Sequence, residues 1–269
     1  GTTANAITGV GFQPDFVWNK PRDTTGWHRA FDSVRGVLNV IYPNDTYQNE
    51  VMPSPGGLNT FGSDGYTMGD NTGSNENTKL FVTWSWKMGT TSGLTGGTIT
   101  PTGYSLNTTA TQSIIAYTGN GTSGATVPHG LGAVPDLIIV KCLSHTGSWP
   151  VYNTAFGATK YLELNSDAAV QTGTSRWNDT APTSTVFSLG NTANVNENLR
   201  TYVAYCFANK KGYSQVGSYE GNASSWGPFV YTGFRPAFLM VKNSATTSGW
   251  YMYDNKRPTA ASYWNDNAT

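Results

Sequence analysis

Charge is scarce in this chain. Lysines and arginines number 16, aspartates and glutamates also 16, so charged residues are 12% of the 269 and the formal net charge is +0. That share is about half the usual one. A neutral chain carries no electrostatic footprint for phosphate, which argues against a nucleic-acid partner. It also lacks the net charge that keeps a free monomer soluble, which favours a place inside a larger assembly. Long apolar runs are missing too, the longest aliphatic block being residues 137–140. With no basic amphipathic helix either, the sequence argues against membrane spanning and membrane-surface binding.

Histidine and cysteine are equally thin. His28, His129 and His145 lie far apart, have no second ligand at metal spacing and do not recur in register, so no metal, no cofactor and no catalytic set is expected from them. Cys142 and Cys206 allow at most one bridge, and the matching positions earlier in the chain are Pro21 and Ser85. Two free buried thiols are therefore expected, as in a protein folded in a reducing cytosol. Helical periodicity is nearly absent, since no segment keeps apolar residues at i, i+3, i+4 and i+7 for three turns. Neither an initiator methionine nor a signal peptide opens the chain at Gly1, which points to a window on a longer protein.

What the chain does have is glycine, 31 residues of it, aromatics at 13%, and a phrase written three times. Gly11-Phe12-Gln13-Pro14-Asp15-Phe16-Val17-Trp18-Asn19-Lys20 returns as Gly132-Ala133-Val134-Pro135-Asp136-Leu137-Ile138-Ile139-Val140-Lys141 and again as Gly233-Phe234-Arg235-Pro236-Ala237-Phe238-Leu239-Met240-Val241-Lys242. Each copy reads as a turn feeding a strand: glycine permits the bend, proline presets φ, and the β-branched and aromatic run suits a pleated surface. The lysine is expected where the strand returns to water. At a constant displacement of 121 residues, Thr25-Gly26 matches Thr146-Gly147, Gly69 matches Gly190, Asn75-Glu76-Asn77 matches Asn196-Glu197-Asn198, and Phe81, Trp84 and Trp86 match Tyr202, Tyr205 and Phe207. A period this long means whole domains, unlike the short units of solenoids.

The reading that follows is all-β: tandem antiparallel β-sandwich domains of jelly-roll, lectin-like type from an internal duplication. Residues 1–88 form the first copy, without its opening strand; 89–112 a Gly/Thr-rich linker with one or two short strands; 113–211 the second copy; 212–269 the first half of a third. The strand and glycine turn before copies two and three, at 114–121 and 216–222, survives before copy one only as Gly1-Thr2. More chain at both ends, or strands from a neighbouring subunit, would supply the rest.

For binding chemistry the aromatics offer most. Trp27, Trp149 and Trp250 lie in corresponding loops after the first strand, Trp27 one place out of register, with Asp32, Asn153 and Asp254 close behind. An exposed Trp edge beside amide or carboxylate groups suits a sugar, a flat apolar face for the ring and directional hydrogen bonds for the hydroxyls. The competing reading is that these indoles plug the sandwich ends. Since Asn153 replaces a carboxylate, hydrogen bonding rather than proton transfer is the role expected at that set. Asp15 and Asp136 read as turn caps, and Glu76 and Glu197 as polar hairpin turns or oxygen ligands to a cation.

The segments 117–122, 129–132 and 135–141, with Trp149-Pro150-Val151-Tyr152, Tyr202-Val203-Ala204-Tyr205-Cys206-Phe207 and residues 229–236, resemble the glycine-rich tandem domains of tail-fibre and other virion proteins of tailed bacteriophages, marine ones especially. The resemblance covers nearly the whole chain. It implies a concanavalin- or laminin-G-like sandwich without a catalytic set, located in the virion. The role implied is structural or host-recognising; joined to the aromatic reading, it gives the expectation of a non-enzymatic tail fibre or appendage that displays glycan-binding loops at 26–32, 147–153 and 249–254. The partners implied are itself, a trimer being the family expectation, other virion proteins, and a host glycan or protein receptor. A capsid decoration or head-tail protein, a polysaccharide depolymerase and a bacterial surface lectin are the alternatives.

Overall fold

The computed structural model describes residues 4–257 and 262–263. Over these the regular structure is nearly all strand, and its pairings are antiparallel. The first unit comprises β1 (Asn5–Thr8), β2 (Phe16–Pro21), β3 (Arg29–Asp32), β4 (Asn39–Val40), β5 (Glu50–Val51), β6 (Leu58–Gly62), β7 (Gly65–Met68), the single helical turn α1 (Thr72–Asn75) and β8 (Phe81–Trp86). The second comprises β9 (Pro101–Asn107), β10 (Gln112–Thr118), β11 (Ala125–Pro128), β12 (Leu137–Cys142), β13 (Pro150–Asn153), β14 (Lys160–Glu163), β15 (Gln171–Thr172), the turn α2 (Thr174–Trp177), β16 (Val186–Leu189) and β17 (Thr201–Phe207). The third comprises β18 (Phe238–Lys242), β19 (Trp250–Asp254) and β20 (Ser262–Tyr263). Among the described residues no helix is long and apolar enough to cross a membrane.

The recurring phrase becomes a recurring strand. β12, β13, β15 and β16 occupy the positions of β2, β3, β5 and β7 displaced by 121 residues. Pairing follows the same displacement, Trp18 opposite Trp84 in one unit and Ile139 opposite Tyr205 in the other. The recurring glycines have a local reason: a Cβ at Gly69 would lie 1.2 Å from the Pro55 carbonyl oxygen, and one at Gly190 2.0 Å from that of Ser175.

In the second unit a seven-stranded sheet, β15-β14-β13-β12-β17-β10-β9, faces the pair β11-β16 across a core of Ile115, Tyr117, Val127, Ile138, Phe187 and Tyr202. In the first, β3-β2-β8, extended through the Ala30–Ile41 bridge to β4-β5, faces β1-β7-β6 across Val17, Phe31, Leu58 and Met68. The stretch 89–112 is more than a linker. Its strand β9 is an edge of the seven-stranded sheet, Ile99 and Leu106 are buried in the second unit's core, and Ser105 Oγ donates to Asp15 Oδ1 of the first at 3.2 Å.

A third core explains why these strands read as apolar runs without alternation. β12 sends Ile138 and Val140 into its own sandwich, but Leu137 and Ile139 into a cluster shared with Phe16, Trp18 and Trp84 of the first unit and Trp250 and Met252 of the third. A strand buried on both faces has no polar face to show.

The units meet in one way, repeated. Lys141 Nζ of unit two donates to the Thr46 carbonyl of unit one, and Lys242 Nζ of unit three to the Asp167 carbonyl of unit two, both at 3.1 Å. The same two carbonyls accept from Gly147 N and Ser248 N, and Trp149 Nε1 and Trp250 Nε1 donate back across the seams to the carbonyls of Asp45 and Glu163. Tyr205 of unit two packs 4.5 Å from Phe16 of unit one; at matching positions Trp84 of unit one packs 5.7 Å from Phe238 of unit three. The third unit thus returns to the first, and head-to-tail contacts that close make a ring.

Lys141 corrects one expectation: it is fully buried and does not mark a return to water. Its ammonium donates to Thr46 and Gly147 carbonyls, and burial pushes its pKa down from 10.5 to about 8. Below that value both folded and unfolded chains hold the proton, and the cost of burying the charge stands. Between about 8 and 10.5 the unfolded chain binds more protons, so stability contributed by this site rises with pH. The stability of wild type relative to Lys141→Met is expected to rise by about 3 kcal/mol across that window in denaturant melts. A difference flat in pH would mean the ammonium is not desolvated.

Candidate functional site

The six residues expected to bind a ligand are not gathered into one site. Trp149 and Trp250 are buried in the seams, and neither offers a face to solvent. Asp32 is fully buried, its Oδ2 accepting from Arg35 Nε at 2.6 Å and from Tyr205 OH of the second unit at 2.6 Å. Burial works against the Arg35 charge, but Asp32 and then Tyr205 outweigh it and hold the guanidinium above its usual pKa. Asp254 repeats the arrangement with Arg257, whose guanidinium lies 5.2 Å over the Trp84 ring of the first unit. Burial alone would raise the Asp254 pKa; the hydrogen bonds from Arg257 lower it instead. Asn153 accepts from Ala155 N as a turn residue. Trp149, Trp250, Asp32 and the Asp254–Arg257 pair are thus held where the units touch, and Asn153 builds its own turn.

Trp27 is different, and its register shows why. Position 28, not 27, matches Trp149, and His28 fills that inward place, where Trp18 Nε1 donates to its Nδ1 at 3.1 Å. A one-residue slip in extended chain points a side chain to the opposite side. Trp27 is consequently 44% exposed. It packs 5.1 Å from Tyr42, edge to face, and 5.5 Å from Tyr47, which is 56% exposed.

This trio sits on a charged floor. Tyr42 OH donates to Glu50 Oε2 at 2.5 Å, and burial followed by that bond pushes the phenol up to about 12. Arg29 lies 6.0 Å from the Tyr42 ring and donates to Ser74 Oγ at 3.3 Å; burial lowers its pKa. A Cβ on Gly73 would strike that guanidinium at 1.5 Å, so the glycine makes room for it. In the second unit the matching positions hold Ser148, Glu163 and Ala168. The cluster belongs to one unit only, and Tyr42 and Tyr47 were not among the residues the sequence singled out. The available signal was the out-of-register tryptophan, together with two tyrosines that have no aromatic counterpart.

The other polar candidates are structural. Asp15 Oδ2 and Asp136 Oδ2 accept from Met88 N and Asn209 N just past the closing strands, as caps. At the Asn-Glu-Asn turns the first asparagine is the builder: Asn75 Nδ2 donates to the Gly69 carbonyl and Asn196 Nδ2 to those of Gly190 and Thr122. Glu197 pairs with Arg200 at 2.9 Å. His129 is buried with its pKa lowered, accepting at Nδ1 from Leu131 N. Cys142 and Cys206 are free and buried, and burial pushes the Cys206 thiol up to about 12. Among the described residues no three His, Cys, Asp or Glu side chains converge as a metal site.

No curated protein and no solved structure matches this chain. A family model described as a domain of unknown function, DUF7483, matches residues 1–268. The chain, with its three-unit ring and aromatic patch, belongs to the family of that domain, DUF7483.

Proposed function

We propose that this protein is a non-enzymatic structural component of a tailed-bacteriophage virion, a tail fibre or appendage whose ring of sandwich units displays a host-receptor site. The observation that carries the reading is the Trp27–Tyr42–Tyr47 cluster, in which the exposed rings of Trp27 and Tyr47 pack on buried Tyr42, with Arg29 and Glu50 beside it. Such a surface suits a glycan: the ring faces take the apolar side of a pyranose, and the rim offers donors and acceptors. The resemblance to virion domains supplies the location, and the shared core supplies the rigidity that a displayed site needs.

Glycan-array binding of the purified chain tests this. Trp27→Ala and Tyr47→Ala are each expected to weaken a bound glycan at least tenfold, about 1.4 kcal/mol, while thermal stability changes little at these exposed positions. Unchanged binding in both variants, or turnover of a polysaccharide, would overturn the reading.

A further inference from the structure

Arginines withdrawn from water in this fold carry a carboxylate partner: Arg35 has Asp32 at 2.6 Å, Arg176 has Glu163 at 3.7 Å, Arg200 has Glu197 at 2.9 Å and Arg257 has Asp254 at 2.5 Å. Arg22 and Arg235 are exposed and need none. Arg29 is the exception among the described residues. It is part-buried, its Nε is buried without a hydrogen-bond partner, and its Nη1 finds only the neutral Ser74 hydroxyl, at 3.3 Å. The carboxylate whose charge it feels, Glu50, accepts from the Tyr42 hydroxyl instead. Burial therefore wins at Arg29 and lowers its pKa, whereas Asp32 holds Arg35 above its usual value.

Unit two shows what a completed arrangement looks like. There Arg176 lies 4.7 Å over the Tyr161 ring, the Tyr161 hydroxyl donates to Gln171 Oε1 at 2.8 Å, and Glu163 supplies the anion. Gln171 stands at the place of Glu50, but the place of Glu163 is taken in unit one by Tyr42, a ring. Unit one thus keeps the guanidinium and the tyrosine and lacks the carboxylate. What it has in addition is the exposed pair Trp27 and Tyr47. Trp27 and Arg29 are two positions apart in extended chain, so their side chains point to one side. Both reach the Tyr42 ring, Trp27 at 5.1 Å and Arg29 at 6.0 Å.

We infer that the glycan this site takes is acidic and that Arg29 receives its anionic group, the carboxylate of a uronic or sialic acid or a sulfate ester. The inference rests on the glycan reading and deepens it to a substrate class. Either group presents two oxygens to the guanidinium fork, and such charge-assisted bonds are the strong ones. The ligand then supplies from outside what Glu163 supplies within unit two. Glu50 works in the opposite sense, as an exposed carboxylate that repels a bound anion.

The test applies the full chain, at low and at high salt, to an array of uronate-bearing, sialylated, sulfated and neutral oligosaccharides. The strongest hits are expected to be acidic and to weaken as salt rises. The best of them is then titrated beside its neutralised form, carboxyl-reduced or desulfated, which tells the two anionic groups apart. Arg29→Gln should weaken the acidic oligosaccharide by about tenfold or more and leave the neutralised one unchanged, while Glu50→Gln should strengthen the acidic one. Gly73→Ala keeps the arginine but displaces its guanidinium, since the added Cβ would meet that flexible end at 1.5 Å, and should reproduce the loss. It decides the matter where Arg29→Gln lowers the thermal midpoint. Neutral hits that Trp27→Ala abolishes would overturn the inference and leave the glycan reading standing. Acidic binding indifferent to both Arg29→Gln and Gly73→Ala, or an equal loss for the acidic and neutralised forms, would overturn it as well. An array without a hit would overturn both.

Discussion

Replacing Trp149 with alanine is expected to cost about 3–5 kcal/mol, the range for a large buried aromatic, and to lower the melting temperature by roughly 10 °C for a chain of this size. The side chain is fully buried in the seam between units one and two, its indole donates to the Asp45 carbonyl at 3.0 Å, and the Lys141 ammonium lies 5.8 Å from its ring. Truncation opens a cavity, strands the Asp45 carbonyl and strips the lysine of its aromatic neighbour. Trp27→Ala is the matched control, with an expected loss below about 1 kcal/mol at an exposed position. Thermal melts of the two variants separate a seam residue from a displayed one. Equal small losses would mean that the units are not held together through this indole.

Asp32→Ala is expected to be as severe, about 3–5 kcal/mol, because breaking a buried pair leaves an uncompensated charge. Arg35 spends its donors on Asp32, Asn49 and the Ala30 carbonyl, and Tyr205 OH has Asp32 as its acceptor. Unit two shows the way back: its matching residues are Asn153 and Phe156, an amide and an apolar ring packed against the shared core. The double variant Asp32→Asn/Arg35→Phe should therefore recover at least half of the loss. Replacing a buried ion pair by apolar packing is often neutral or stabilising. Denaturant melts decide it; a double variant no better than Asp32→Ala would mean that Arg35 is needed for shape and not only for charge balance.

Much of the fold was legible because β structure writes itself locally. Glycine and proline punctuate, β-branched and aromatic residues fill the strands between them, and the thrice-written phrase marked β2, β12 and β18 before any contact was known. The candidate site was legible only in part. Trp149 and Trp250 look like display residues in a loop, and only the packing of one unit on the next turns them inward. Lys141 ends its apolar run as a surface lysine would, yet the neighbouring unit supplies the carbonyl that lets it stay inside. Trp27 was marked by its slip of one position, but its companions Tyr42 and Tyr47 lie on the following loop, and nothing in the sequence says that the three rings meet.

By itself the sequence determined the strand phrases, their order and their recurrence, since these depend on short-range backbone preference and on side-chain period. The tertiary structure decided which of the two apolar faces of each sheet turns to its own sandwich and which to a neighbouring unit. It also decided which aromatics are left exposed. Those outcomes depend on contacts between residues 75 to 173 positions apart, and a hydrophobic run reads the same whether its cover comes from its own unit or from the next.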